Sequence, residues 1–235
     1  MSNPKVLVGC PTSQHKEYCL DQYVSGVRQL KYDNFDVLLV DNSRSEEYAQ
    51  HIREKGIECC KVPYSQGVMK RLADSRNVLR ERVLAEGYDY FFSLEQDIIP
   101  PPIIIKRLLA HGKKVVSGLY TKQAKIQDEA GQILRTEQVP VAYVWDENVR
   151  DARRLLRKEM KNKGLMRIIG GGLGCLLIHR SVLEEIEFRV DDPSVGCDDM
   201  FFFNDLHELG IAAYCDTGAL CKHLEVAWDA AVRNS

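Results

Sequence analysis

Two carboxylates at the end of an apolar run are the first residues with a chemistry to explain. In Phe91-Phe92-Ser93-Leu94-Glu95-Gln96-Asp97 a buried strand delivers Glu95 and Asp97, two positions apart, onto a loop. Side chains at i and i+2 of an extended tip point the same way, so both can face one hard cation and the phosphates it carries. Taken alone, the pair also fits a solvated turn. A second acidic pair stands in Gly196-Cys197-Asp198-Asp199-Met200-Phe201-Phe202, where an apolar helix begins. Helix capping accounts for it if Asp198 is the N-cap and Asp199 is favoured by the helix dipole. Chemistry accounts for it if a carboxylate here takes the proton of an attacking hydroxyl, as a general base does. His223, just after Ala219-Leu220-Cys221, can offer an imidazole to the same cation. The run Gly170-Gly171-Gly172-Leu173-Gly174 lets a backbone approach a ligand closely, or makes a tight turn between strands. It lacks the GxGxxG spacing and does not follow the first strand, so it is no dinucleotide fingerprint.

The elements that must position these residues alternate. Val6-Leu7-Val8-Gly9 reads as a buried strand stopped by Cys10-Pro11-Thr12, and Cys19, Tyr23, Val27 and Leu30 predict a helix over residues 16–30. A second strand over 35–40 ends in Asp41-Asn42-Ser43, with Ser43 and Glu46 spaced as a capping box. A strand at 57–62, a helix at 68–86 and a strand at 90–94 follow, then a helix to about 111 and a strand at 115–119. This βα alternation predicts a mainly parallel sheet with helices on both faces. Ligands of such sheets bind beyond the carboxyl ends of the strands, which selects Pro11-Thr12, Asp41-Asn42-Ser43 and Glu95-Gln96-Asp97.

The regularity breaks over 121–164, a polar and charged insertion with an expected strand at 139–145 and a basic helix at 149–161. Beyond it come strands at 166–169 and 175–178, a helix capped by Ser181 and Glu184, a helix over 197–209, and short strands at 212–215 and 219–221.

Composition narrows the function classes. A chain of 235 residues with 45% hydrophobic and 28% charged residues is an ordinary globular domain. A net charge of −2 offers no global attraction to nucleic acid or an anionic membrane, so anionic ligands must be met locally. No secretion signal or membrane-spanning stretch is read from the sequence. The eight cysteines form no CxxC, which argues against a zinc knuckle and for a reducing compartment. The expected location is cytoplasmic, with peripheral membrane association left open.

In the order of these motifs the chain resembles the GT-A fold glycosyltransferases of the broad family-2 type, along nearly its whole length apart from the insertion. Cys10-Pro11-Thr12 and Asp41-Asn42-Ser43 resemble the segments that hold nucleobase and ribose there. Ser75-Arg76-Asn77 resembles the small-Arg-Asn segment that precedes the metal motif, and the 91–97 stretch resembles the DxD motif, with Glu95 in place of the usual aspartate. The resemblance implies one GT-A domain over 1–235: a nucleotide-binding half to about 120, the insertion, and an acceptor half from about 165. It implies a Rossmann-like, mainly parallel sheet and a donor site of Pro11, Thr12, Asp41, Asn42, Ser43, Arg76, Glu95, Gln96 and Asp97. A metal would sit on Glu95, Asp97 and His223, and oxygen ligands with a phosphate partner favour manganese or magnesium. Gly171 and Gly172 would line the acceptor side. Asp199, with Asp198 beside it, would be the base of an inverting transfer from a UDP- or GDP-sugar to a glycan or other hydroxyl. Retaining chemistry stays open. So do a nucleotidyltransferase, whose phosphate loop after the first strand is missing, and a non-catalytic sugar-nucleotide or glycan-binding protein.

Overall fold

A computed structural model describes residues 3–127, 131–162 and 164–225. Parts of the expected insertion (128–130 and 163) and of the expected acceptor half (226–235) lie outside the described residues. In chain order the first half contains β1 (Val6–Thr12), α1 (Leu20–Arg28), β2 (Phe35–Asp41), α2 (Glu47–Glu54), β3 (Glu58–Lys61), α3 (Val68–Ala85), β4 (Tyr90–Leu94), β5 (Ile98–Ile99), α4 (Ile104–Leu109) and β6 (Val115–Leu119). The second contains β7 (Thr121–Gln127), β8 (Ile133–Pro140), β9 (Ala142–Asp146), β10 (Asp151–Arg154), β11 (Leu165–Ile168), β12 (Gly170–Gly171), β13 (Cys175–His179), α5 (Arg180–Leu183), α6 (Asp198–Glu208), β14 (Ala213–Leu220) and β15 (Lys222–His223).

Eight strands form the central sheet in the order β11-β14-β6-β13-β4-β1-β2-β3. β1 runs parallel to β2 and β4, β2 to β3, and β14 to β6, while β13 is antiparallel to both its neighbours. The expected mixed α/β architecture with a large, mostly parallel sheet is therefore present. Its central strands are apolar throughout because both faces are covered. Val6, Val8, Phe92, Leu94, Cys175 and Leu177 pack on one side with α1, α2 and α4. Leu7, Phe91, Leu176 and Ile178 pack on the other with α3, α5 and α6. The register sets Thr12 opposite Asp41 and Gly9 opposite Ser93, which gathers the polar tips of β1, β2 and β4 at one end.

Several local expectations are corrected. The expected basic helix at 149–161 is strand β10, paired antiparallel with β9, followed by a single 3-10 turn at Glu159–Asn162. Pairing wins because it buries Ala142, Val144 and Leu155 in the core and lets Arg153 bond Asp146 and Glu159, both at 2.8 Å. The helix expected over 16–30 starts as a 3-10 turn at Gln14–Cys19 before α1. Ser43 is no cap: its hydroxyl bonds Asp41, and α2 begins after Glu46 without a side-chain cap. Ser181 lies inside α5, whose N-cap is His179, accepting the Ser181 N–H at 3.1 Å. The strands expected at 212–215 and 219–221 are one strand, β14, with an irregularity between Asp216 and Leu220. The β7–β8 hairpin was not foreseen.

That irregularity presents Asp216, 1% exposed, to α4. Its carboxylate accepts from Arg107 Nε (2.6 Å) and Nη2 (2.8 Å), from His111 Nε2 (2.8 Å) and from the Gly218 N–H (2.9 Å). Burial alone would raise its pKa, but Arg107, His111 and the backbone donor outweigh it and hold it near about 2, against an ordinary 3.8. A depressed folded-state pKa gives stability that is present above 3.8 and lost as pH falls through about 2. Asp216→Asn is expected to unfold about 2 kcal/mol more easily near neutral pH, with the gap to the parent narrowing as pH falls to about 2. Urea unfolding across that range measures it.

Candidate functional site

The strand-end carboxylates are positioned by a turn, not by an extended tip. The Ile98 N–H bonds the Glu95 carbonyl at 2.8 Å, closing a turn over 95–98, and the Glu95 N–H bonds the Gly174 carbonyl at 3.0 Å. The i, i+2 alternation of a strand no longer applies across such a turn. Glu95, Gln96 and Asp97 accordingly reach three different sets of partners.

Glu95 accepts from Arg76 Nη2 at 2.8 Å, and Arg76 Nε lies 3.1 Å from Asp198 Oδ2. Arg76 is 2% exposed and Asp198 3%. Burial opposes the guanidinium charge, but Asp198 and Glu95 outweigh it and raise its pKa. Burial raises the pKa of Asp198, with Arg76 pulling the other way. One buried cation on α3 thus joins the tip of β4 to the first turn of α6. Cys197 is the N-cap of α6, so Asp198 does not cap the helix: it sits in the first turn together with Asp199. Asp199 is half-buried, and its Oδ1 accepts from the Met200 N–H (2.7 Å) and the Cys197 thiol (2.6 Å).

Gln96, 1% exposed, turns inward. Its Oε1 accepts from Thr12, its Nε2 donates to the Lys16 carbonyl (2.7 Å), and it bonds Tyr48. Asn42 donates to Ser75 Oγ at 3.1 Å, while the Ser43 hydroxyl bonds Asp41 and accepts the Gln14 N–H at 2.8 Å. Pro11 faces Val40 within the sheet. Of these expected donor-site residues, Thr12 bonds Gln96 and Ser43 bonds Asp41, while the other bonds go to Lys16, Tyr48, Ser75 and Gln14. Asp41 Oδ2 is a buried oxygen with no hydrogen-bond partner, 3.9 Å from Lys61 Nζ.

Asp97, 4% exposed, meets the other end of the chain because β15 pairs with β5, setting His223 opposite Ile98. Its Oδ2 is ion-paired with Lys16 Nζ and lies 3.5 Å from both His223 Nε2 and the Tyr18 hydroxyl. His223 Nδ1 donates to the Thr121 carbonyl at 2.8 Å, which leaves Nε2 as the atom facing Asp97. Burial would raise the Asp97 pKa, but His223 and Lys16 hold it well below the usual range. Burial would lower that of His223, and Asp97 outweighs it. Of the expected metal set, two residues meet and the third is turned elsewhere. Asp97 and His223 come together, but Glu95 belongs to Arg76 and the Lys16 ammonium compensates Asp97. Among the described residues no three His, Cys, Asp or Glu side chains are grouped to hold a metal ion. Asp97 Oδ1 is buried without a hydrogen-bond partner, yet it and one imidazole do not make that site.

Three neighbours escaped the sequence reading. Lys16 and Tyr18 lie in the turn that follows β1, where the rule that ligands meet strand ends would have looked. Tyr120 directly follows β6. Its ring meets that of His223 edge-on at 5.6 Å, and burial, with Glu95 and Asp199 adding to it, raises its pKa. Tyr120 also explains the glycine run. Its hydroxyl accepts the Gly174 N–H at 3.3 Å and fills the space a Gly172 side chain would take, while Phe203 covers Gly171 at 3.3 Å. The glycines make room for the Tyr120 and Phe203 side chains.

No family model matches the chain, and no curated protein matches it. Among solved structures, A197 from STIV is similar at 16% identity and a TM-score of 0.49, covering 94% of this chain and 86% of that one. The functional reading therefore rests on the geometry of the site.

Gly172→Ala would drive a methyl into the Tyr120 hydroxyl and is expected to cost about 1–3 kcal/mol by overpacking. In a Tyr120→Phe background most of that cost should vanish, and thermal unfolding of the two single variants and the double variant measures the coupling.

Proposed function

We propose that this chain is a GT-A type glycosyltransferase that moves a sugar from a nucleoside-diphosphate sugar to an acceptor hydroxyl, with inversion. The observation that carries the reading is the Glu95–Arg76–Asp198 ion-pair bridge. It joins two acidic segments far apart in sequence at the carboxyl ends of β1, β2 and β4, where ligands of such sheets bind. Asp41, whose Oδ2 takes no hydrogen bond and has only Lys61 Nζ at 3.9 Å, is the acceptor best suited to an N–H of the nucleobase.

The carboxylates divide the work by environment. Asp198 is buried against Arg76 and holds the architecture. Asp199, half-buried on the same helical turn, is the base. The acceptor oxygen attacks the anomeric carbon as its proton passes to the Asp199 carboxylate. The bond from that carbon to the diphosphate oxygen breaks, and its electron pair leaves with the diphosphate, so one displacement inverts the centre. Because the expected ligand set is not assembled, no step is routed through manganese or magnesium.

Incubation with UDP- and GDP-sugars and hydroxyl acceptors tests the reading by release of nucleoside diphosphate. Pyrophosphate release instead would mark a nucleotidyltransferase, and binding without turnover a non-catalytic sugar-nucleotide protein. Asp199→Asn keeps an oxygen to accept the Met200 N–H, so it should fold, bind donor with little change, and lose about 10²-fold or more in kcat. Undiminished turnover in this variant removes Asp199 from the role.

A further inference from the structure

We infer that Lys16 is the resident cation of the donor site, its ammonium meeting the diphosphate in the role the sequence assigned to a divalent metal. The inference rests on the nucleotide-sugar reading above and deepens it.

Lys16 is aimed with unusual care for a lysine. Its N–H bonds the Ser13 carbonyl at 2.8 Å, and its carbonyl accepts from Gln96 Nε2 at 2.7 Å and from the Cys19 thiol at 3.1 Å. Gln96 is in turn fixed by Thr12 and Tyr48, so the backbone that carries the lysine is tied to β1, α2 and the tip of β4. From this base the side chain reaches the Asp97 carboxylate. It also feels Glu95, the other carboxylate of the expected metal pair. The ammonium therefore sits on Asp97, the carboxylate expected to be the principal metal ligand.

The lysine side chain keeps 21% of its surface exposed, against 6% for Asp97, so the cation is the member of the pair that the solvent side can reach. Each carboxylate already carries a compensating cation, Lys16 on Asp97 and Arg76 on Glu95, so a divalent ion placed on either would sit beside a positive charge. A lysine ammonium binds phosphate as a compact point charge. Here it would neutralise the charge that grows on the leaving diphosphate oxygen, giving up neither proton nor electron pair, while Asp97 acts as the positioning residue that holds it.

Calorimetric titration of UDP and GDP into the protein, in EDTA and then in Mn2+, tests this. Wild type should bind one of them in EDTA and gain less than about 3-fold from Mn2+. Lys16→Met should lose about 10-fold or more in EDTA, and Lys16→Arg should stay within about 3-fold of wild type. Asp97→Asn, which removes the carboxylate that holds the ammonium, should weaken binding in EDTA by about 3-fold or more, whereas a residue that acts only as a metal ligand would change binding in Mn2+ alone. Circular dichroism melting confirms that each variant is folded. Binding that requires Mn2+ and ignores Lys16→Met overturns the inference alone. No binding of either nucleotide under either condition overturns the donor reading and this inference with it.

Discussion

A guanidinium in the protein interior cannot be left without carboxylates, and the site depends on how Arg76 meets that demand. Stranding such a charge costs about 3–5 kcal/mol, a large part of the stability of a domain this size. Arg76 is a buried residue of α3, so the tip of β4 and the start of α6 must both come to it, bringing Glu95 and Asp198. Asp199 follows from the geometry of a helical turn. A constraint of charge burial thus decides where a residue with room for chemistry stands.

The opposite side of the β4 tip is organised by neutral hydrogen bonds. Gln96 joins Thr12, Tyr48 and the Lys16 carbonyl, and the short β5–β15 pairing brings His223 and Leu224 alongside, the Leu224 N–H bonding the Asp97 carbonyl at 2.8 Å. Tyr120 meets the His223 ring edge-on and carries the glycine run around its hydroxyl. The three-residue loop 95–97 is therefore a junction from which each side chain leaves for a different neighbour.

The central strands were legible in the sequence because burial on both faces leaves apolar runs such as Phe91-Phe92 and Cys175-Leu176-Leu177-Ile178 that admit few other readings. The polar tips of β1, β2 and β4 followed from strand ends, and the start of α6 from an acidic pair before an apolar helix. What escaped has physical reasons. The β7–β8 hairpin is largely exposed, so its side chains carry no two-fold apolar pattern. Asp151-Ala152-Arg153-Arg154 has helical composition, and only its pairing with β9 makes it a strand. Glu95 and Asp97 share a ligand if the tip is extended, whereas in the turn Glu95 pairs with Arg76 and Asp97 with Lys16. The partnership of Arg76 with Asp198, and of Lys16 with Asp97, is long-range and leaves no local period to read.

A double-mutant cycle on the Arg76–Asp198 ion pair tests most directly whether β4 and α6 converge on one site. Arg76→Met, Asp198→Asn and the double variant, compared by equilibrium unfolding, should show a coupling free energy of about 1–3 kcal/mol, with the double variant less destabilised than the sum of the singles. Losses that add to within about 0.5 kcal/mol would mean that the two side chains do not meet, and the convergence of β4 and α6 on one site would fall with that result.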